Sequence, residues 1–476
     1  MSHTYKAVSL ALLGVTLSAA APAQETRQGS SSDQLEEIVV TGTRAALIES
    51  LDRKREAPIV QDSIVAEDLG RFPDDNVADS LSHITGITLQ RTRGGEGQYV
   101  NVRGLGPEFS IVTLNNRILA TESDGREFAF DVLPSEIIAG ADVFKSANVV
   151  NLEGSIGGAV NLTSARPLDR PGLRTSLSVK GDYNDLSENS GYKVSGVFSD
   201  TFAEDRMGVL LTAVYQDTKV RSDAVHEFYI TPDSPGAFDA NGDGEISDAE
   251  SELLGLCCTS FGTRIQQRKR SGITAVWQWQ VDNAFQMTVD GMFTRLDAPT
   301  IGYHQSYYVE DSILDEQTGL HRWSDVSIRD HWVTGMSIDQ LVPEVSTISE
   351  HRVVDTTQFG WNAVWQTTDN LKFTFDAYRS RAERDSGGKN TWMVSGIGGH
   401  HTGRVDMRSG GLPNISVTLE DGRDLATALQ SGALGDADYG LHYIGLSGTD
   451  LTDEVTGLSI AGELRLEFGA LQTLQF

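Results

Sequence analysis

From Gly172 onward the chain alternates with period two. Phe285, Met287, Val289, Gly291 and Phe293 alternate with Gln286, Thr288, Asp290 and Thr294, and Leu458, Ile460, Gly462, Leu464 and Leu466 alternate with Ser459, Glu463, Arg465 and Glu467. Successive side chains of a strand point to opposite faces, so each segment reads as a strand with one apolar and one polar or ionic face. Residues 371–377 and 273–281 repeat the pattern, and Trp277 and Trp279 fall on the apolar side, where an interfacial aromatic girdle would stand. A soluble β-sandwich also alternates, but the inward charges here are too many for its core. The pattern predicts an antiparallel transmembrane β-barrel with a polar lumen.

Composition agrees with that class and excludes others. The 476 residues carry a formal charge of −29 and 48 glycines, with a mean hydropathy of −0.25. Such an acidic chain is not built to bind nucleic acid, which needs basic patches. The one long apolar run is at the start. Lys6 precedes an apolar stretch over residues 7–20, and Ala21-Pro22-Ala23 is an A-x-A cleavage site, so residues 1–23 read as a secretory signal peptide. No later run could cross a bilayer as a helix. Residues 24–34 are polar, with Gly29 to Ser32 making a flexible tether. Cys257 and Cys258 are the only cysteines, so no disulfide framework organises the fold. A strained vicinal bond and a pair of thiols both stay open for them, and neither reading is catalytic.

Two N-terminal regions carry the specific signals. Leu35, Glu36, Glu37, Ile38, Val39, Val40 and Thr41 form a β-branched segment that favours an extended strand yet is too small to fold alone, so a partner's sheet edge can capture it. After it, residues 45–168 read as a compact α/β domain. Ala78, Leu81 and Ile84 share a helix face, residues 87–90 and 99–103 read as strands, and residues 109–114 lead into Asn115-Asn116, a pair that tolerates positive φ in a tight turn. The 35–41 segment resembles the TonB box of TonB-dependent outer-membrane transporters. Residues 101–106, including Arg103 and Gly104, residues 113–117, including Asn115, Asn116 and Arg117, and residues 143–162 resemble that family's plug domain, in the family's order. The likeness is to the subfamily associated with oligosaccharide uptake in Gram-negative bacteria.

The resemblance implies a fold and a set of partners. The fold is an α/β plug followed by an antiparallel transmembrane β-barrel over residues 172–476, with the flexible box-bearing segment (24–44) in the periplasm. The partners are TonB with its ExbB–ExbD energising complex, outer-membrane lipid, and a small-molecule substrate, an oligosaccharide. It also implies that Arg103 is held by barrel carboxylates, for which Glu463 or Glu467 would serve. Family members that also signal carry an extra module before the box, and residues 24–34 leave no room for one. Roughly eight to ten strand-like segments are visible, against about twenty-two in a plugged transporter, so the barrel is expected to be incomplete in this chain. A ferric siderophore or haem importer, and a calcium-dependent surface binding protein or adhesin, stay open as alternatives.

One loop has chemistry of its own. Residues 239–250 match the calcium-loop pattern, with Asp239, Asn241, Asp243, Ser247 and Glu250 offering side-chain oxygens, Glu245 its carbonyl, and Gly244 the sharp turn. An acidic loop turning on its own Asx motifs is the alternative. Pro232 and Pro235 forbid the entering helix of an EF-hand, so this would be a stapled outer loop, between strands ending near residue 218 and starting near residue 263. Trp323, Trp332, Trp392, Tyr303, Tyr307 and Tyr308 are candidate sugar-stacking residues in outer loops. His400 and His401 would point to opposite faces of a strand and make a poor chelating pair. No serine elbow, zinc motif or phosphate loop stands in the sequence, so no enzyme activity, catalytic residue or transport cofactor is expected.

Overall fold

The computed structural model describes residues 42–66, 74, 76–146, 152–230, 239–308, 323–407, 412–435, 438–468 and 471–476. The leader, the tether and the whole 35–41 segment lie outside the described residues. A helix, α1 (Thr43–Glu56), opens inside the stretch to residue 44 that the sequence predicts to be flexible. Arg53, Lys54 and Arg55 occupy its last turn, where cations complement the helix dipole.

The N-terminal domain then runs β1 (Gln61–Val65), α2 (Val77–Leu81), β2 (Ile87–Arg91), β3 (Gly97–Val102), β4 (Ser110–Leu114), β5 (Arg117–Ile118), β6 (Gly140–Phe144) and β7 (Gly158–Thr163). Asn76 caps α2 by accepting from the amides of Ala78 and Asp79, and the helix buries Val77, Ala78 and Leu81. Five strands pair in the order β1-β6-β7-β4-β5, parallel only between β4 and β7, while β2 and β3 form a separate hairpin. The β4–β5 turn places Asn115 at φ 55° and Asn116 at φ 64°. That left-handed pair is tolerable for short polar side chains and is fixed by the Asn116 amide donating to Asn161 Oδ1 at 2.8 Å.

The remaining strands are β8 (Arg174–Asn184), β9 (Asn189–Phe202), β10 (Met207–Ile230), β11 (Gly255–Gln280), β12 (Phe285–Tyr308), β13 (Trp323–Arg329), β14 (Trp332–Asp339), β15 (Pro343–Thr368), β16 (Leu371–Asp385), β17 (Asn390–Ile397), β18 (Thr402–Asp406), β19 (Asn414–Thr418), β20 (Tyr439–Ser447), β21 (Asp450–Phe468) and β22 (Leu471–Gln475). Nine of them pair in the order β22-β21-β16-β15-β12-β11-β10-β9-β8, and β17 joins β15 to β20. Every pairing in this wall is antiparallel, and among the described residues the wall does not close on itself.

The register sorts the two faces. Odd-numbered residues of β10, β11, β12, β15 and β16 share the outer face and even-numbered ones the inner face. Leu211, Ile273, Phe293, Phe359, Trp361 and Trp365 lie exposed on the outer face. Trp277 and Trp279 stack beside the short-turn end with ring centroids 6.1 Å apart. This apolar band ends where Arg295 pairs with Asp355 at 3.0 Å and Arg379 with Glu454 at 2.7 Å. On β12 the band covers residues 285–293, close to the about 9–11 residues a tilted strand needs to cross the hydrocarbon. Past the band the strands continue as a polar ribbon. The β10–β11 pairing runs to Ile230 and Gly255, so the strands do not stop near 218 and 263, and Cys258 pairs in register with Phe228 instead of lying in a loop. With both faces wet there, no apolar period marks the strand in the sequence.

Two cores result. One joins Leu81, Phe130, Leu133, Ile138 and Leu162 of the N-terminal domain to Val214, Met292, Leu296, Ala298 and Val354 on the inner face of the wall. Neither part could bury these side chains alone. The other lies beyond the band, where the sheet β13-β14-β18-β19 and the short helix α3 (Leu425–Gln430) pack with Leu253 and Leu256.

Candidate functional site

The contact between the N-terminal domain and the wall is polar at its centre. Arg117, the first residue after the Asn-Asn turn, is 2 % exposed. Its Nη1 donates to both carboxylate oxygens of Asp290 at 2.8 and 2.7 Å, and its Nε and Nη2 each donate to Asp376 at 2.9 Å. Asn362 Nδ2 donates to the same Asp376 at 3.1 Å. The wall makes room for this guanidinium at Gly360, where a Cβ would stand 1.8 Å from Nη1. The strand after Arg117 then lies along the wall, with the amides of Ile118, Ala120 and Thr121 donating to the Tyr378 hydroxyl, the Ser380 hydroxyl and Asp453.

Three more ion clusters cross the same boundary with opposite polarity. Arg352 of the wall holds Glu122 and Asp131; Arg268 and Arg270 hold Glu96 at 2.9 and 2.8 Å; and Lys193 holds Glu136 at 2.9 Å. Buried ions of one sign would be expelled by their desolvation cost. Here each has its counter-charge across the boundary, so the contact is registered and costs little to keep but much to break on one side. Aromatic and aliphatic packing alone would let the domain slip.

Arg103, expected to be the locked arginine, does not pair with Glu463. It sits at φ 56° beside Gly104 at φ 77°, its side chain is exposed, and among the described residues it makes no ion pair. The turn from Val102 to Leu105 is closed by the Leu105 amide on the Val102 carbonyl, and the Arg103 amide donates to the Gly86 carbonyl at 2.7 Å. Glu463 instead pairs with Lys372 at 2.6 Å, and the Glu467 side chain lies outside what is described. Among the described residues it is Arg117 that pairs with wall carboxylates. A signal for this was present in the short Asn-Asn turn that throws the next residue outward, but its two aspartates are separated from it by 173 and 259 positions.

The outer loops resolve into a second region. Asp239 accepts from the amides of Gly242, Asp243 and Gly244, Asn241 from Asp243, and Asp243 from Glu245. Glu250 closes the loop, one oxygen accepting from the amides of Ala240 and Asn241 and the other from the amide and hydroxyl of Ser247. Those bonds from Ser247, opposed by burial and reinforced by Asn241 and Ala240, hold the Glu250 carboxyl below the usual carboxylate range. Among the described residues no three carboxylate, histidine or cysteine side chains converge as metal ligands. The loop exit is stitched to β14, with the Leu254 amide donating to the His331 carbonyl and the Val333 amide to the Leu254 carbonyl. Trp323 is 7 % exposed within the outer core and is unavailable for stacking, whereas Trp332, Trp392 and Tyr303 remain exposed. His401 is buried and its Nδ1 accepts from the Glu420 amide, while His400 is exposed.

A small α/β domain seated by ion clusters against an antiparallel wall, with a lipid-width apolar band outside, defines a plug with an open portion of a membrane-type β-barrel. Residues 53–159 match the family model described as TonB-dependent Receptor Plug Domain, so this chain carries a TonB-dependent receptor plug and its place is the outer membrane. No curated protein matches the chain in sequence. Among solved structures, a mutant of the ferric enterobactin receptor PfeA from Pseudomonas aeruginosa, bound to enterobactin, aligns at 10 % identity over 88 % of this chain and 62 % of its own, with a TM-score of 0.36. The unliganded ferric citrate transporter FecA aligns at 11 % identity over 90 % and 63 %, with a TM-score of 0.32. A double mutant of the Serratia marcescens hemophore receptor HasR, with its hemophore HasA and haem, aligns at 11 % over 88 % and 62 %, with a TM-score of 0.31. The chain thus spans under two thirds of each of these proteins.

Proposed function

We propose that this chain serves TonB-dependent import of a small molecule, an oligosaccharide, across the outer membrane. The observation that carries the reading is Arg117, sealed between Asp290 and Asp376 and flanked by three counter-charged clusters. Such a plug blocks the lumen at rest and has to be worked loose by force. In this reading substrate binding outside shifts the population in which residues 35–41 are offered to TonB, whose sheet adds the strand and pulls, with ExbB–ExbD supplying the energy. Exposed Trp332, Trp392 and Tyr303 give the outer end flat apolar surfaces of the kind that stack on sugar rings. The 239–250 loop would take a calcium ion through the side chains of Asp239, Asn241, Asp243, Ser247 and Glu250 and the carbonyl of Glu245, stapling the outer module. Radiolabelled oligosaccharide uptake tests the reading. Dissipating the proton-motive force should abolish accumulation and leave surface binding in place, and accumulation that survives would remove the energised-import assignment.

A further inference from the structure

Above the plug, on the inner face of the wall beyond the lipid band, the charge of the molecule locally reverses. His226, Arg264 and His304 come from three neighbouring strands; His226 pairs in register with Ser260, His304 with Gly262, and Arg264 with Gly302. The plug's apical turn rises to meet them. Arg268, on the same face of β11 as Arg264, donates to Thr92 Oγ1 at 3.1 Å and to Glu96 at 2.9 Å, which pins the turn that carries Arg93.

These groups are short of partners. The buried Nε2 atoms of His226 and His304 and the buried Nε of Arg264 have no hydrogen-bond partner among the described residues. Arg93 makes neither a hydrogen bond nor an ion pair among the described residues. Glu350, which receives Arg264 Nη1 at 3.1 Å and has a half-exposed side chain, is the acidic group that acts on the cluster. Burial and the like charge of Arg264 both lower the pKa of Arg93, against the opposing pull of Glu350. The fields of Arg93 and Arg264 also fall on both imidazoles.

The wall is shaped around this cluster. A Cβ on Gly262 would stand 2.5 Å from His304 Nδ1, and one on Gly302 would stand 3.1 Å from His304 Nε2 and 3.2 Å from Arg264 Cγ. Two glycines therefore thin the wall under one imidazole and one guanidinium. Buried donors left unpaired are costly and call for a ligand that pairs them. Two guanidiniums, beside two imidazoles whose Nε2 atoms donate in one tautomer, suit a carboxylate and do not suit a cation.

We propose that Arg93, His226, Arg264 and His304 form a seat for a carboxylate of the imported solute, so that the substrate is an acidic, uronate-bearing oligosaccharide. This rests on the importer reading and narrows it. In a chain of formal charge −29, such a seat would draw an anion inward above the plug.

The test is calorimetry on the full chain in detergent, titrated with trigalacturonate and separately with its neutral trimethyl ester. Trigalacturonate should bind at least tenfold more tightly than the ester, and Arg93→Ala should weaken it by about 10–100-fold, the usual effect of one lost charge-assisted bond. Arg93→Lys should retain part of the affinity, and Arg295→Ala, on the outer face, should leave it unchanged. No binding of trigalacturonate, equal binding of acid and ester, or an affinity indifferent to Arg93→Ala would each overturn the seat. Binding needs no energy source, so failure of energised uptake with this binding intact would count against the importer reading alone.

Discussion

A single arginine separates two residues that look alike in the sequence. Arg117 is buried between two aspartates, and Arg103 is exposed in a left-handed turn. Arg117→Ala would leave Asp290 and Asp376 facing each other without a cation, at a cost of about 3–5 kcal/mol to plug docking. Arg103→Ala should fall within about 0.5 kcal/mol of the parent, as surface substitutions do. Denaturant-induced release of the plug and passive permeability to small antibiotics both read this difference, and equal effects of the two variants would return the lock to Arg103. Asp62 gives a pH-dependent counterpart. Burial raises its pKa, but Lys145 and Lys54 outweigh burial and hold it below the ordinary value. A carboxylate with a lowered folded pKa stabilises the fold above its unfolded pKa of about 3.9, and that contribution is lost as pH falls through the lowered value. Asp62→Asn should therefore lower plug stability at pH 7 and make no difference near pH 2, measured by thermal unfolding at both.

At the scale of elements, the outer loop and the wall answer to different physics. The 239–250 loop already turns as its glycines require, Gly242 at φ 81° and Gly244 at φ 87°, and its carboxylates are engaged by backbone amides. Both oxygens of Glu250 already accept two hydrogens each, so calcium has to exchange those bonds for its own and should bind no more tightly than about 10⁻⁴ to 10⁻³ M, the range of extracellular modules. Calcium should then protect residues 239–256 from protease and Glu250→Gln should remove the protection. Digestion rates that ignore calcium in both proteins would leave a loop held by its Asx turns alone. The alternating segments of β12 and β16 were legible because one face meets lipid and the other the plug. The outer halves of β10 and β11 were not, because water on both faces removes the period.

For the whole molecule, the plug is stable where it sits and useful only if it can be moved. Four ion clusters and a shared apolar core fix it, and in the proposed import the work of opening enters through residues 35–41. Val39→Pro removes an amide donor from the 35–41 segment and disrupts strand addition. Uptake by the full-length protein should fall to background while substrate binding stays at the parental level; unchanged uptake would show that the pull is applied elsewhere.

The sequence by itself determined the class of the molecule. Period-two alternation, the Asn-Asn turn at 115–116 and the motifs around residues 101–106 and 143–162 are local, and local pattern is what φ, ψ and side-chain direction obey. The spacing of Asp239 to Glu250 is local too, and the loop turns accordingly. Only the tertiary structure decided which arginine is locked, which tryptophan is in a core, and where an anion would find unpaired donors. Each of these is a meeting of residues far apart in the chain. Arg117 reaches Asp376 across 259 positions, and Trp323 shares one core with Leu425. Such meetings are set by strand register and by the seating of the plug, which no local pattern specifies.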